Sequence, residues 1–261
     1  MVDTMKLQAL EQQLKGFFSP VLAFSGGIDS RFLAHSMCRA GITFSAVHIT
    51  GEHVPRVESE KALAWLAERS LPYRTIKVSP LELPEVKENG KQRCYHCKRH
   101  LFSAIQHSVG DATILDGTNF SDLGQYRPGL KALAELGVIS PLAVAEITKA
   151  EVRLLAQHTS MDEPDQPSTP CLLTRFAYGV APELSTLASL EKCEAELRTF
   201  GLREIRLRIL ADGTQVLQVA SVENEIADRY HDAIQDVLQR EGFCSAQIRY
   251  SERVSGFHDA S

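Results

Sequence analysis

Residues 21–30, Val-Leu-Ala-Phe-Ser-Gly-Gly-Ile-Asp-Ser, constrain the fold more than any other stretch, because a short apolar run enters an SGGxDS loop without a spacer. Val21 to Phe24 has the length and bounding residues of a buried strand, and Arg31 to Ala40 carries helical spacing closed by Gly41. The loop is therefore a strand-to-helix turn. Gly26 and Gly27 open backbone conformations closed to other residues and let N–H groups approach an anion, while the helix N-terminus adds partial positive charge. Ser25 and Ser30 bring hydroxyl donors. The Gly-Lys-Ser/Thr ending of the Walker loop is absent, so the backbone must do more of the work of holding phosphate. An isolated Ser-Gly-Gly would read as a turn with Asp29 and Ser30 capping a helix; its place after an apolar strand favours ATP phosphates.

Downstream, Thr43–Thr50 reads as a strand, Val57–Ser70 as a helix and Tyr73–Val78 as a strand. Such alternation predicts an α/β domain with a parallel sheet, whose ligands sit at the carboxyl ends of strands. Residues 79–93 are polar and Pro-punctuated and read as a loop, 94–108 as a helix and 112–116 as a strand. Gly117 and Thr118 follow that strand at once, and this second turn is expected to face the first. Residues 148–158 read as a helix and 159–182 as an irregular Pro-rich segment. Beyond Glu183 the texture changes: a helix over 184–200, a strand over 204–210, an Asp212-Gly213 turn with a hairpin partner at 215–219, a helix over 223–240 and a strand over 245–250. The expected domains are 1–182 and a smaller α+β domain, 183–261.

A hydrophobic share of 44% and a charged share of 23% are ordinary for a globular chain, and no apolar run is long enough for a membrane span. The first fifteen residues read as an amphipathic helix rather than a secretion signal, so a cytoplasmic protein is expected. Net charge is −5, with basic residues scattered, which argues against nucleic acid and favours a small phosphorylated substrate.

In a reducing compartment the six cysteines are metal or catalytic candidates before they are disulfides. Cys94-Tyr-His-Cys97 alone is open to zinc, iron–sulfur, redox or simple packing, and no second CxxC exists to complete a zinc site. Cys171 lies between Pro170 and Arg175; positive charge from Arg175 and Arg153 would favour its thiolate. Cys38 and Cys193 read as small core residues.

The SGGxDS string resembles the signature of the PP-loop ATP pyrophosphatase superfamily, which implies cleavage of ATP between the α and β phosphates with adenylation of an oxygen. Together with Arg93-Cys-Tyr-His-Cys-Lys98, Asp116-Gly-Thr-Asn119, Tyr126-Arg-Pro-Gly-Leu-Lys131, Ser140-Pro-Leu142, Thr148-Lys149 and Pro170-Cys-Leu-Leu-Thr-Arg-Phe-Ala-Tyr-Gly179, it resembles the LarE family of ATP-dependent sacrificial sulfur transferases over nearly the whole chain.

That resemblance implies adenylation of a carboxylate of a pyridinium dicarboxylate mononucleotide and insertion of sulfur, in assembly of the nickel-pincer nucleotide. It implies ATP contacts at Ser25, Gly26, Gly27, Asp29, Ser30, Gly117 and Thr118, substrate phosphate contacts at Arg175, Arg206 and Arg208, and Mg²⁺ beside the phosphates. Cys171 is either the sulfur donor, left as dehydroalanine, or with Cys94 and Cys97 a ligand of a [4Fe–4S] cluster whose fourth iron carries the sulfide. Three thiolates leave one iron open, and the cluster form is expected here. The family also implies a homo-oligomer.

Three positions depart from the family pattern: Arg31 stands for a small residue, Gln166 for a lysine, and Gln218 for an acid. A tRNA thiolase with the same loop and a three-cysteine cluster, and a non-catalytic ATP-sensing metallochaperone, are the competing readings.

Overall fold

The apolar run forms β1 (Val21–Ala23) in the computed structural model, which describes residues 4–124, 127–252 and 254. Tyr126 of the Tyr126–Lys131 motif lies outside them. Three more strands, β2 (Ser45–Thr50), β3 (Tyr73–Lys77) and β4 (Ile114–Leu115), join β1 in a parallel sheet of order β3-β2-β1-β4. Leu22 pairs with Ala46 on one side and Leu115 on the other. The chain builds outward from β1 to β3, then returns to lay β4 on β1's free edge. The order reverses between β1 and β4, the place in such sheets where ligands bind at the carboxyl ends of the strands. Both candidate turns, 25–30 and 116–119, leave the sheet there.

The core around this sheet follows from helical spacing. Leu7, Leu10 and Leu14 come from the helix Thr4–Leu14, Phe32, Leu33 and Met37 from the helix Ile28–Arg39, and Val152, Leu155 and Ala156 from the helix Lys149–His158. All meet Leu22, Ala46 and Leu115 of the strands. The helix after the loop begins at Ile28, three residues before the expected start. Asp29 and Ser30, caps in the alternative reading, therefore stand in its first turn, and Gly27 is the N-cap, without a side-chain hydrogen bond. Phe120–Leu123, Pro128–Glu135 and Pro141–Val144 are additional helices too short to show a period, and the segment read as a loop over 79–93 contains helical turns at Pro80–Glu82 and Pro84–Lys87.

The chain divides into two compact units, Met1–Gly51, Glu58–Pro80 and Cys94–Thr169 in one, and Glu52–Val57, Leu81–Arg93 and Pro170–Ser261 in the other. Residues 170–182, expected with the first domain, cluster with the second unit. In that unit β5 (Ile205–Ile209) and β6 (Gln215–Ala220) form the expected antiparallel hairpin, with Gly213 at φ +81° in the turn, and β7 (Gln247–Ser251) adds parallel to β6. Leu187, Leu190 and Leu197 of the helix Leu184–Thr199 and Ile234, Val237 and Leu238 of the helix His231–Arg240 are buried with Leu207, Leu217 and Val219. The helix expected over 223–240 is broken at Tyr230 into Asn224–Arg229 and His231–Arg240. Among the described residues no helix is long and apolar enough to cross a membrane.

Candidate functional site

Gly26 adopts φ +81°, and a Cβ placed on it would stand 2.4 Å from the Cβ of Ala62. Both the conformation and the close approach exclude a side chain. The loop is braced from within: Ser30 Oγ donates to the Gly27 carbonyl at 3.0 Å, receives Gly26 N–H at 3.1 Å and lies 3.1 Å from Ser25 Oγ. Ser30 is buried and its hydroxyl is spent on the loop's own shape. The first N–H groups of the helix Ile28–Arg39 have no side-chain cap, so an anion at this N-terminus meets both unsatisfied donors and the helix dipole.

The turn after β4 closes on that N-terminus, as expected. A Cβ on Gly117 would lie 2.8 Å from the Ser30 nitrogen and 3.1 Å from the Asp29 carbonyl carbon, so only glycine permits the approach. Buried Asp116 holds the turn by accepting from Thr118 Oγ1 at 2.6 Å and Ser140 Oγ at 2.6 Å. Thr118 is therefore turned inward to Asp116. Asn119 Nδ2 donates to Asp29 Oδ1 at 3.2 Å while its Oδ1 caps the helix Phe120–Leu123.

Asp29 has a second partner that was not assigned a role from sequence. Lys149 Nζ lies 2.5 Å from Asp29 Oδ2. The lysine opens the helix Lys149–His158, whose capping box joins Thr148 and Glu151. Glu151 also receives Lys6 at 2.7 Å; burial opposes its charge, but the Lys6 and Thr148 hydrogen bonds hold the carboxyl below its usual range. The loop that lacks a Walker lysine thus has one delivered by a helix 120 residues away in sequence. The Thr148-x-x-Glu151 pattern was the available signal: it marks a helix start and puts Lys149 at its first position.

His48 on β2 also escaped the sequence reading. Its Nδ1 donates to the Phe24 carbonyl at 2.8 Å, which leaves Nε2 to accept from Ser59 Oγ at 3.0 Å. Burial lowers its pKa, so the ring is neutral and ties the end of β1 to the helix Arg56–Glu68.

In the second unit, half-buried Cys171 precedes the turn Leu172–Arg175. Thr174 Oγ1 donates to the Cys171 carbonyl at 2.7 Å, and Arg175 Nη1 donates to the carbonyls of Pro170 and Cys171 at 3.0 and 3.3 Å. Arg175 is fully buried, and its Nε and Nη2 form a fork on Glu194 at 2.9 and 2.8 Å. Burial opposes Glu194's charge, but Arg175, Arg198 and the Leu207 N–H outweigh it and bring the carboxyl to about 2. The expected substrate arginine Arg175 is therefore committed to the backbone around Cys171. Arg153, within its own unit, donates to the Gln166 carbonyl at 3.3 Å and pairs with Asp165.

Arg206 and Arg208 are both buried on β5, and burial and then the Arg175 charge lower Arg206 to about 10. Arg208 donates to Gln218 Oε1 at 2.8 Å and to the Thr174 carbonyl at 3.0 Å. Gln218, where an acid was expected, accepts from this arginine without neutralising it.

Cys94 and Cys97 lie one turn apart at the start of the helix Arg93–Val109, Cys97 buried and Cys94 half-buried. Gly129 lets the helix Pro128–Glu135 approach them, since a Cβ there would lie 3.3 Å from the Cys94 carbonyl oxygen. Among the described residues, no three His, Cys, Asp or Glu side chains are gathered as a metal-holding group.

No protein-family model matches the chain. It is 32% identical over 208 residues to an uncharacterized protein of Synechocystis sp., covering 78% of this chain and 77% of the relative. It is 28% identical over 233 residues to an uncharacterized protein of Methanocaldococcus jannaschii, covering 87% and 88%. It is 29% identical over 247 residues, 91% of this chain and 88% of the relative, to the pyridinium-3,5-bisthiocarboxylic acid mononucleotide synthase of Lactiplantibacillus plantarum.

Proposed function

The chain belongs to the LarE family, and from that premise we propose that it uses ATP to activate a carboxylate of a pyridinium dicarboxylate mononucleotide and then inserts sulfur. The observation that carries the ATP half is the uncapped helix N-terminus at Gly27, closed over by Gly117 and flanked by the Asp29–Lys149 pair. Phosphate oxygens would take the N–H groups of the loop and turn, and Lys149 would supply the cation that a Walker loop carries within itself. Mg²⁺ binds through one or two carboxylates plus substrate phosphates, and Asp29 suits it once Lys149 turns to phosphate. The metal would offset charge on departing pyrophosphate.

The substrate carboxylate attacks the α-phosphorus, pyrophosphate leaves, and the acyl adenylate forms. The Cys171 thiolate then attacks the acyl carbon and AMP departs, leaving a thioester. Removal of the Cys171 Cα proton breaks the Cβ–S bond, giving a thiocarboxylate and dehydroalanine. Arg175 and Thr174 serve this step by holding the Cys171 backbone. Arg206 and Arg208 are assigned to the substrate phosphate, with their shared burial on β5 and the nearby Arg175 charge that lowers Arg206 in support. Assembly as a homo-oligomer belongs to the same reading.

A second reading, favoured by the one-turn spacing of Cys94 and Cys97, makes them and Cys171 ligands of a [4Fe–4S] cluster; no step is derived through it. Pyrophosphate release tests the shared part: it should require the pyridinium nucleotide together with ATP. Release driven equally by tRNA, or none with any acceptor, overturns the proposal.

A further inference from the structure

Two departures from the family pattern, Arg31 and Gln166, touch each other at the ATP loop. Arg31 follows the loop directly and is 3% exposed. Its Nη1 donates to Gln166 Oε1 at 3.1 Å and to Glu163 Oε2 at 3.1 Å, its Nη2 donates to the Asp162 carbonyl at 3.0 Å and to the Asp162 carboxylate, and its guanidinium lies 5.4 Å from the Trp65 ring centre. Trp65 stacks on Phe24, and its Nε1 donates to Asp162 at 3.1 Å. Arg31 is thus held from several sides. Because Gln166 Oε1 faces an arginine, which only donates, its Nε2 must point the other way, and there it donates to the Gly26 carbonyl at 3.2 Å.

The Gly26 carbonyl and the Gly27 N–H belong to one planar peptide and point in opposite directions; the N–H makes only a long, exposed contact of 3.4 Å to Ser25 Oγ. A Gly-Gly peptide resists rotation of this plane less than any other, and a flip would replace a donor facing phosphate with a carbonyl oxygen repelling it. We propose that Gln166, anchored by Arg31, is a positioning residue that locks the Gly26–Gly27 peptide with its N–H presented to the ATP phosphates. In this chain the lock couples nucleotide affinity to the order of the segment Asp162–Gln166, five residues before Cys171 in sequence. The inference rests on the ATP reading of the loop.

The test is equilibrium binding of α,β-methylene-ATP and of adenosine to the full chain and to Gln166→Glu and Gln166→Leu. Gln166→Glu keeps an acceptor for Arg31, so the anchor survives, but it sets a carboxylate against the Gly26 carbonyl. Both variants should bind the triphosphate about tenfold more weakly, the size of one lost hydrogen bond, and bind adenosine as the wild type does. Unchanged triphosphate affinity in either folded variant overturns the proposal, as does an equal loss for adenosine. Failure of the wild-type protein to bind the triphosphate would instead remove the ATP reading.

Discussion

Lys149 is the residue on which the proposed phosphate site turns. A backbone loop offers N–H dipoles but no full charge, and Lys149 is the cation brought to Asp29 at 2.5 Å. Replacing it by alanine leaves an acid facing polyphosphate and removes a charge-assisted hydrogen bond of roughly 1.5–3 kcal/mol. Lys149→Ala should therefore lower kcat/KM for pyrophosphate release about 10- to 100-fold, while leaving the thermal midpoint near that of the wild type. Steady-state kinetics against ATP checks this. Its role was hidden from sequence because the contact spans 120 positions, whereas Gly26 and Gly117 were legible as glycines of the two turns: Gly26 is required by a positive φ and a close approach, Gly117 by a close approach, and Gly27 lies at φ −72° with no such constraint. Arg175 was legible as a residue of interest, but sequence did not show that Glu194 would bury beside it.

At the level of elements, two buried groups join pieces of structure and make stability depend on pH. Glu194 on the helix Leu184–Thr199 binds Arg175 in the turn after Cys171 and the Leu207 N–H on β5. Its folded pKa of about 2 lies below the ordinary 4.5, so its contribution is whole above 4.5 and is lost as pH falls through about 2. Glu194→Gln leaves Arg175 uncompensated and should cost about 3–5 kcal/mol, read from urea unfolding near neutral pH. His48 behaves in the same direction at higher pH. Burial depresses its pKa below 6.5, so its contribution is present above 6.5 and declines as pH falls below it. The urea midpoint of the wild type should drop between about pH 7 and pH 5, and the drop should shrink in His48→Gln. The strand–helix alternation around these groups was readable because apolar periodicity is a local property. The short helices between 120 and 144 were not, since four to eight residues complete too few turns to show a period.

Across the whole molecule, the proposed ATP site and the segment around Cys171 are built by different means. The proposed phosphate site lies at the topological reversal between β1 and β4, and a buried ion pair between a helix and the turn after Cys171 orders the chain around that cysteine. The two compact units interleave along the chain, which is why a single boundary near 182 was the natural sequence reading: composition changes once there, while contacts sort by segment. Sulfur insertion from Cys171 is the claim that joins both halves. It is tested most directly by the intact mass of iron-free protein after one turnover with ATP and the pyridinium dicarboxylate mononucleotide. The account predicts loss of one hydrogen sulfide from the chain, mapped to Cys171 and matched by pyrophosphate formed. Thiocarboxylate product with Cys171 at its original mass would contradict it.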